Sequence, residues 1–413
     1  MMDVLNDDCL REILKFLQPH ELLRLYGVCR RFDYFIDEIR RKIHSFEFQS
    51  ISGTRWESEK IHETLAFVGP SVKSLVINRG ILDIPNLTLF ELIHQLCPKL
   101  ESLNVYRCTL RSTDILNELT FVVKNLKSII LTDCIFNNEL GECFAGADKL
   151  ENLSIYYNNG INEDFFKHIK NLQSLSVIKC SSIKPKEMLK NNLTLKKLNV
   201  KQSFHMNNDF INFITHNLTS LEDLEFSVKS DSDVKISCFG EMPNLKRLSI
   251  CGGSREFTTI IREFDLLMEN LNHKKIIEQL ELSWFHRNII NSVSKLTNLK
   301  SLSLNFMDLP ETGLKNLEKL KKLEHAEFLS EWISKNDIIE IVKDHKNLKY
   351  LKIDHSMDIE FLEKIIAILK ISKRLKLEIK SGIGMITNKK TTKQKYHKLL
   401  NENSHILTLI EYY

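Results

Sequence analysis

The chain has 413 residues, of which 43% are hydrophobic and 27% charged, and its formal net charge is +4. These values are close to the average for soluble globular proteins. No apolar run reaches the roughly 18 residues of a membrane span, and no charged leader with an apolar stretch is found. Lysines alternate with acidic residues, without the basic stripe and interleaved aromatics of nucleic-acid-binding proteins. We therefore expect a cytoplasmic or nuclear protein, or one present in both places, that binds neither membrane nor nucleic acid.

Three short helices are predicted at the start of the chain, between Leu5 and Arg41. Apolar residues recur at helical spacing in the first, Pro19 interrupts it, and two further apolar runs follow. A segment of about 40 residues is near the size below which a domain needs disulfides, a metal or a partner. The nine cysteines show no Cys-x-x-Cys spacing, so we expect no metal and no cofactor. Because the N-terminal segment lacks a disulfide or a metal, we expect a partner protein to stabilise it.

This N-terminal segment resembles an F-box. The resemblance rests on Leu5, on the apolar residues of the first helix, and on the sequence Val28-Cys29-Arg30-Arg31-Phe32. One departure is Asn6, which stands where the family usually has proline after leucine. Loss of that proline is expected to loosen the segment before the first helix. We assign residues 1–45 to the F-box and residues 46–70 to a helical joint or cap.

A Leu-x-x-Leu-x-Leu-x-x-Cys pattern recurs about a dozen times between Val72 and Ile379. The copies start mostly about 22 to 28 residues apart, which is the period of leucine-rich repeats. One repeat cannot bury its apolar face alone, whereas stacked repeats can. We therefore predict an α/β fold in which the three-helix F-box precedes a curved leucine-rich-repeat solenoid of about 12–13 repeats in residues 71–380. Parallel strands should line its inside and helices its outside.

Within each repeat the pattern predicts which side chains are buried. Leu103 and Val105 should face inward, and their neighbours outward, because alternate residues of a strand share a face. Cys108, Cys134 and Cys180 occupy one repeat position, where a small thiol can bond to the neighbouring turn. Five polar residues are predicted to begin the helices between strands. They are Ser112, Asn162, Asn208, Asn336 and Asp358.

An F-box followed by leucine-rich repeats is similar to the F-box/leucine-rich-repeat substrate receptors of SCF ubiquitin ligases. This resemblance implies a non-catalytic adaptor that binds Skp1, and through it cullin-1 and a RING protein, while the repeats bind a protein substrate. The Skp1-binding residues it implies are Leu5, Leu10, Ile13, Leu14, Leu17, Leu22, Leu25, Val28, Cys29 and Phe32.

The substrate site is expected on the outward strand residues, because these are not needed for packing. The middle repeats place Lys197, Lys201 and Arg247 beside Asp223 and Glu225, so neither sign dominates there. Aromatic and apolar anchors are expected before and after these charges. The residues predicted to bind substrate are Tyr106, Ile130, Tyr156, Ile178, Arg247, Trp284, Phe306 and Tyr350.

Several alternatives remain open at the level of sequence. The first helices could be a plain solenoid cap, and the whole chain a non-ligase scaffold for protein interactions. In the basic tail, residues 381–413, an apolar segment from His405 to Ile410 could cap the sheet edge or fold back over the inner face. The long repeat between Leu245 and Ile277 either projects a loop or has lost a strand. A nucleophilic pair of Cys29 and His44 is not expected, because Cys29 should pack in the helical core.

Overall fold

A computed structural model describes most of the chain. The described residues are 5–48, 56–78, 88–136, 138–158, 160–180, 183–203, 206–228, 233–252, 258–285, 289–306, 314–329, 333–354, 359–372, 376–382, 398, 401–403 and 407–412. The chain divides into two compact units: an N-terminal unit of residues 1–195 with 202–204, and a C-terminal unit of residues 196–201 with 205–413. No described helix is long and apolar enough to cross a membrane.

The N-terminal unit begins with three helices, α1 (Asp7–Lys15), α2 (Pro19–Leu25) and α3 (Arg30–Arg40). Pro19 stands in the first turn of α2, where its missing N–H costs no hydrogen bond. The Glu21 carboxylate accepts a hydrogen bond from the Gln18 amide at 2.7 Å and so closes the first turn of α2. The helices share a small core. Its members are Leu10, Leu14, Leu22, Phe32, Phe35 and Ile36.

The segment after α3 was expected to be helical, and this is wrong for its first part. Strand β1 (Ser45–Glu47) pairs in parallel with β2 (Ser74–Asn78), and only then does helix α4 (Ser58–Val68) follow. The reason is local: Phe46 and Phe48 alternate with Glu47, and both rings are buried, which is the period of a strand.

The repeats of the N-terminal unit form a parallel sheet in the order β1-β2-β3-β5-β7-β8, beside a separate pair β4-β6. Helices or 3₁₀ turns connect the strands. The strands are β3 (Ser102–Tyr106), β4 (Thr109–Leu110), β5 (Ser128–Thr132), β6 (Ile135–Phe136), β7 (Asn152–Tyr156) and β8 (Ser174–Ile178). The helices are α5 (Leu89–Leu96), α6 (Thr113–Val123) and α7 (Pro185–Leu189), with 3₁₀ turns at Asn138–Gly146 and Glu163–Phe166.

The C-terminal unit continues the same design, with nine described strands paired in parallel from β9 to β17 in chain order. The strands are β9 (Lys197–Asn199), β10 (Asp223–Ser227), β11 (Arg247–Cys251), β12 (Gln279–Phe285), β13 (Ser301–Phe306), β14 (His325–Phe328), β15 (Tyr350–Asp354), β16 (Lys376–Gly382) and β17 (Leu407–Tyr412). The helices are α8 (Asn208–Asn217), α9 (Thr258–Lys274), α10 (Ile290–Val293), α11 (Lys335–Asp344) and α12 (Ile359–Ser372), with 3₁₀ turns at Ile236–Glu241 and Lys315–Lys319.

The predicted α/β leucine-rich-repeat fold is confirmed, since inward Leu, Ile and Val residues of each repeat are buried between strands and helices. The long repeat has lost no strand, because β11 pairs directly with β12 and the extra residues include the 17-residue helix α9. The apolar segment of the tail pairs with β16 as strand β17 and so extends the sheet at its edge.

Two of the five predicted helix caps are as expected, and two others are replaced by a neighbouring residue that performs the same task. Ser112 and Asn162 begin their elements as predicted. Asn207, not Asn208, caps α8, and Ser334, not Asn336, caps α11, because each places its oxygen within reach of the amide three residues ahead. Asp358 lies outside the described residues.

A column of small polar side chains ties successive turns together in the N-terminal unit. The Cys134 thiol donates to the carbonyl of Val105 at 3.3 Å, and Asn158 donates to that of Cys134 at 2.6 Å. Ser203 donates to the Val177 carbonyl at 2.6 Å and accepts from the Cys180 amide at 3.2 Å. Burial raises the pKa of the Cys180 thiol to about 11, which keeps it protonated as a donor. The predicted bonding role of this repeat position is therefore confirmed.

Candidate protein-binding surfaces

Helix α1 carries two apolar stripes that face different ways. Leu10 and Leu14 are 3% and 1% exposed and pack toward the other two helices. Cys9, Ile13 and Phe16 follow one another at steps of four and three residues, and so lie along a second side of the helix. Ile13 is 48% exposed and Phe16 83%. A helix that only capped the solenoid would need the first stripe and not the second.

The junction between α2 and α3 adds to this exposed apolar surface. Val28 is 64% exposed, and Tyr26 and Tyr34 are also exposed, although Tyr26 contacts the Phe67 ring edge-on at 6.1 Å. Five of the eleven large hydrophobic side chains exposed in the described part of the chain therefore fall between residues 13 and 34. We call Ile13, Phe16, Tyr26, Val28 and Tyr34 the exposed apolar set. Single exposed hydrophobic residues are ordinary, whereas a cluster indicates an interaction site.

The ten residues predicted to bind Skp1 divide into three groups in the structure. Leu10, Leu14, Leu22 and Phe32 form the helical core, and Leu5, Leu17 and Leu25 are partly exposed. Ile13, Val28 and Cys29 are exposed. The expectation that Cys29 packs in the core is thus wrong: it precedes α3 as its N-cap, where extended backbone turns its side chain outward. Phe16 was missed, and its spacing from Ile13 was the signal.

Asn6 also differs from expectation, because it does not leave the start of α1 loose. Its side-chain oxygen accepts a hydrogen bond from the Cys9 amide at 2.8 Å and caps the helix, which a proline cannot do. Arg31 of α3 donates to the Leu5 carbonyl and forms an ion pair with Asp7 at 2.8 Å. The capping bond and the Arg31 contacts fix the segment in which the chain departs from the F-box pattern.

The outward face of five strands in the N-terminal unit, β2, β3, β5, β7 and β8, carries no charge. At the chain's average of 27% charged residues, fifteen positions would include about four. We call this surface the neutral face. Its residues are Ser74, Val76, Asn78, Ser102, Asn104, Tyr106, Ser128, Ile130, Thr132, Asn152, Ser154, Tyr156, Ser174, Ser176 and Ile178.

Four predicted substrate-binding residues come together on the neutral face. Tyr156 and Ile178 are register partners on adjacent strands, and Tyr106 lies in the same row two strands away. Ile130 lies on the intervening strand, one outward position earlier. Adjacent strands are about 4.8 Å apart, so the four side chains share one patch. Tyrosine with serine and asparagine is also the composition of many antibody binding surfaces.

The outward face of the C-terminal unit is instead occupied by an ion-pair network. Arg247 binds Asp223 at 2.8 Å and Glu281 at 3.1 Å, and also contacts Glu225. Lys201 bridges Glu225 and Glu281 at 3.0 Å each. All five side chains are less than one-third exposed. Parallel pairing of the strands brings these residues together, although Lys201 and Glu281 are 80 positions apart in sequence.

Burial and pairing act against each other on the carboxylates of this network. Burial raises the pKa of Asp223 above its usual value, although Arg247 opposes the shift. Burial acts on Glu225 too, but the contacts with Arg247 and Lys201 outweigh it and lower the pKa of that carboxyl. Burial would lower the pKa of Arg247, and the Glu225 and Asp223 carboxylates raise it instead. Arg247 is therefore a fixed cation whose donors are directed at its own carboxylates.

A cavity of about 540 Å³ opens beside this network, on β11 to β15. Two of the predicted substrate-binding residues, Arg247 and Tyr350, line it. Trp284 lies in β12 and Phe306 in β13, but the structure describes only the backbone at these two positions. Sequence reasoning missed the other main lining residues, although the rule that selects outward strand positions also selects them. They include Glu281, Ser303, His325 and Glu327.

Among the described residues, no three His, Cys, Asp or Glu side chains are placed to hold one metal ion together. The two units present three candidate binding surfaces. They are the exposed apolar set on the helices, the neutral face, and the charged strand face with its cavity.

No family model matches the sequence, and no curated protein matches it. Several solved structures are similar to the chain. The chain is similar to Rad7 in the yeast complex of Rad7 and Elc1, with 13% identity, a TM-score of 0.51, and coverage of 98% of this chain and 92% of that one. An internalin from Listeria monocytogenes shows 17% identity and a TM-score of 0.33, with 64% of this chain and 63% of that chain covered. The repeat ectodomain of the Arabidopsis receptor kinase HAESA shows 17% identity and a TM-score of 0.37, with 71% and 57% covered. This chain thus spans less than two-thirds of the length of the latter two. The similarity to Rad7 supports a leucine-rich-repeat fold along nearly the whole chain.

Proposed function

We propose that this leucine-rich-repeat protein is a substrate-recognition adaptor of an SCF-type ubiquitin ligase. In this proposal the N-terminal helices bind Skp1, which joins cullin-1 and a RING protein, and the repeats hold a protein substrate. The adaptor makes no covalent bond. It holds a substrate lysine near the ubiquitin-loaded enzyme, so that the transfer becomes nearly intramolecular.

The observation that carries the proposal is the second apolar stripe of α1. Ile13 and Phe16 point away from the core that Leu10 and Leu14 fill, and Val28 is exposed between α2 and α3. Burying one such side chain against a partner contributes about 1.5–3 kcal/mol, so in this proposal Ile13, Phe16 and Val28 anchor the Skp1 interface. Leu10, Leu14, Leu22 and Phe32 would support Skp1 binding indirectly, by fixing the helices.

The similarity to Rad7 supports the proposal through the fold alone. A protein of this fold, matched over 92% of its length, was crystallised as a complex with a second protein, Elc1. We therefore extend to this chain the role of a repeat protein that works bound to a partner.

The test is co-expression of the full chain with Skp1 from the organism that encodes it. We expect the two proteins to co-purify, and Ile13→Asp with Phe16→Asp to reduce recovered Skp1 at least tenfold, because a buried carboxylate without a partner is costly. The matched control is Phe121→Asp, since Phe121 of α6 is 53% exposed on a repeat helix. Substitution of Leu14 is a poor test, because it would disrupt the helical core.

Absence of Skp1 from the wild-type preparation would contradict the proposal. Equal recovery with the double variant, checked for an unchanged melting temperature, would contradict it as well. In either case the neutral face and the cavity would still support the second candidate, a non-ligase scaffold for protein interactions.

A further inference from the structure

The described lining of the cavity combines two carboxylates with hydroxyl, amide, imidazole and guanidinium groups. Glu281 and Glu327 line it and are each about one-third exposed. They flank Ser303 on adjacent strands, which places their Cα atoms roughly 9–10 Å apart. A planar guanidinium has donors on both sides and fits between two such carboxylates.

Among the described lining side chains, Arg247 is the one that is always a cation, and it is already paired with carboxylates. It contacts Asp223, Glu225 and Glu281, so its donors are already directed at carboxylates. Glu327 is held more loosely, with Lys352 at 3.5 Å and the Ser303 hydroxyl at 3.4 Å. Its carboxylate oxygens retain capacity for a stronger donor.

We infer that this cavity binds an arginine or lysine side chain of a partner polypeptide, with arginine preferred. The cation lies between Glu281 and Glu327, the hydroxyl groups of Ser301 and Ser303 contact the neighbouring peptide groups, and the Tyr350 ring lies beside its aliphatic part. The volume is within the range of about 300–1,000 Å³ of ligand pockets, so peptide backbone enters with the side chain. This deepens the proposed function, on which it rests, by naming the substrate class as a protein with a basic determinant.

The experiment measures binding of blocked five-residue peptides of glycine and serine to the full-length wild-type chain by calorimetry or ligand-observed NMR. Their central residue is arginine, lysine or citrulline, which is nearly isosteric with arginine but uncharged. We expect the arginine peptide to bind at least tenfold more tightly than the citrulline peptide, with lysine between them, because a charge-assisted hydrogen bond is lost.

Variants locate the binding. Glu327→Gln should weaken the arginine peptide at least tenfold, and Glu281→Gln should do the same if it folds. Glu324→Gln is the matched control: it precedes the same strand, is paired with Lys349 at 2.6 Å, and should leave binding unchanged. Equal binding of arginine and citrulline peptides, no binding of the arginine peptide at millimolar concentration, or no effect of Glu327→Gln would each overturn the inference. Skp1 co-purification from the same preparations separates this result from failure of the adaptor proposal.

Discussion

The two units present the same repeat fold with opposite surface chemistry. Outward positions of β2 to β8 in the N-terminal sheet carry hydroxyl, amide, aromatic and aliphatic groups without a charge, whereas those of β9 to β15 include lysine, arginine, aspartate and glutamate. Inward positions in both units are Leu, Ile, Val and Phe, with Ala326 as an exception in β14. Inward residues therefore set the architecture, and outward residues determine which partners each surface accepts.

The same contrast applies to what stabilises each unit. Buried Asn192 joins two turns of the N-terminal unit through neutral hydrogen bonds to Leu172 and Ile169 at 3.0 Å each. Arg247 joins three strands of the C-terminal unit through ion pairs. Neutral bonds should be insensitive to pH and salt, while ion pairs should respond to both.

The largest expected effect is that of Arg247→Met. Removing the cation leaves Asp223, Glu225 and Glu281 partly desolvated with Lys201 alone, which should cost about 2–4 kcal/mol. Urea denaturation at neutral pH measures the loss. Arg107→Met is the control, since the Arg107–Asp133 pair is mostly exposed and should contribute less than about 1 kcal/mol. Equal shifts for both variants would mean that burial adds nothing to the network.

A somewhat smaller effect is expected for Asn192→Leu in the N-terminal unit. The change leaves the buried Leu172 amide and Ile169 carbonyl unpaired and should cost about 2–3 kcal/mol. The loss should be the same at low and high salt, unlike that of Arg247→Met. Asn191→Leu serves as the control, because Asn191 makes one exposed bond to the Lys167 carbonyl. A salt-dependent loss for Asn192→Leu would break the contrast between the units.

The smallest effect is a pH dependence at Glu225. Its pKa is lowered on folding from an ordinary 4.5, so the charged form is favoured in the folded state. Its contribution is present above pH 4.5 and is lost as pH falls through the folded pKa. Glu225→Gln should therefore destabilise by about 1–2 kcal/mol at pH 7 and by less near pH 3. A difference between variant and wild type that stays constant from pH 7 to pH 3 would argue against this network.

Much of the fold follows from sequence periodicity, because Leu103, Val105 and their counterparts must be buried at fixed intervals. Short elements are harder to predict from periodicity. Strand β1 has three residues, and only Phe46 and Phe48 indicate its alternation. The predicted start of α8 is one residue late, because Asn207 rather than Asn208 caps the helix. The exposed apolar set could be predicted only in part, because the pattern selects Ile13 and Leu14 equally and packing alone separates them.

The charged surface was harder to predict as a site. Asp223, Arg247 and Glu281 belong to different repeats, and only the strand register makes them neighbours. Their opposite signs suggested a mixed surface, whereas pairing distances show that Arg247 is fully engaged. The cavity and the loosely held carboxylate of Glu327 follow from that geometry and from no local motif.

The most direct test of the proposal that the exposed apolar set binds Skp1 is photo-crosslinking from position 16. A photoreactive phenylalanine analogue replaces Phe16 in one preparation and Phe121 of α6 in another, and each is mixed with Skp1. We expect a crosslink to Skp1 from position 16 and none from position 121. Absence of a crosslink from position 16, or equal crosslinking from both positions, would contradict it.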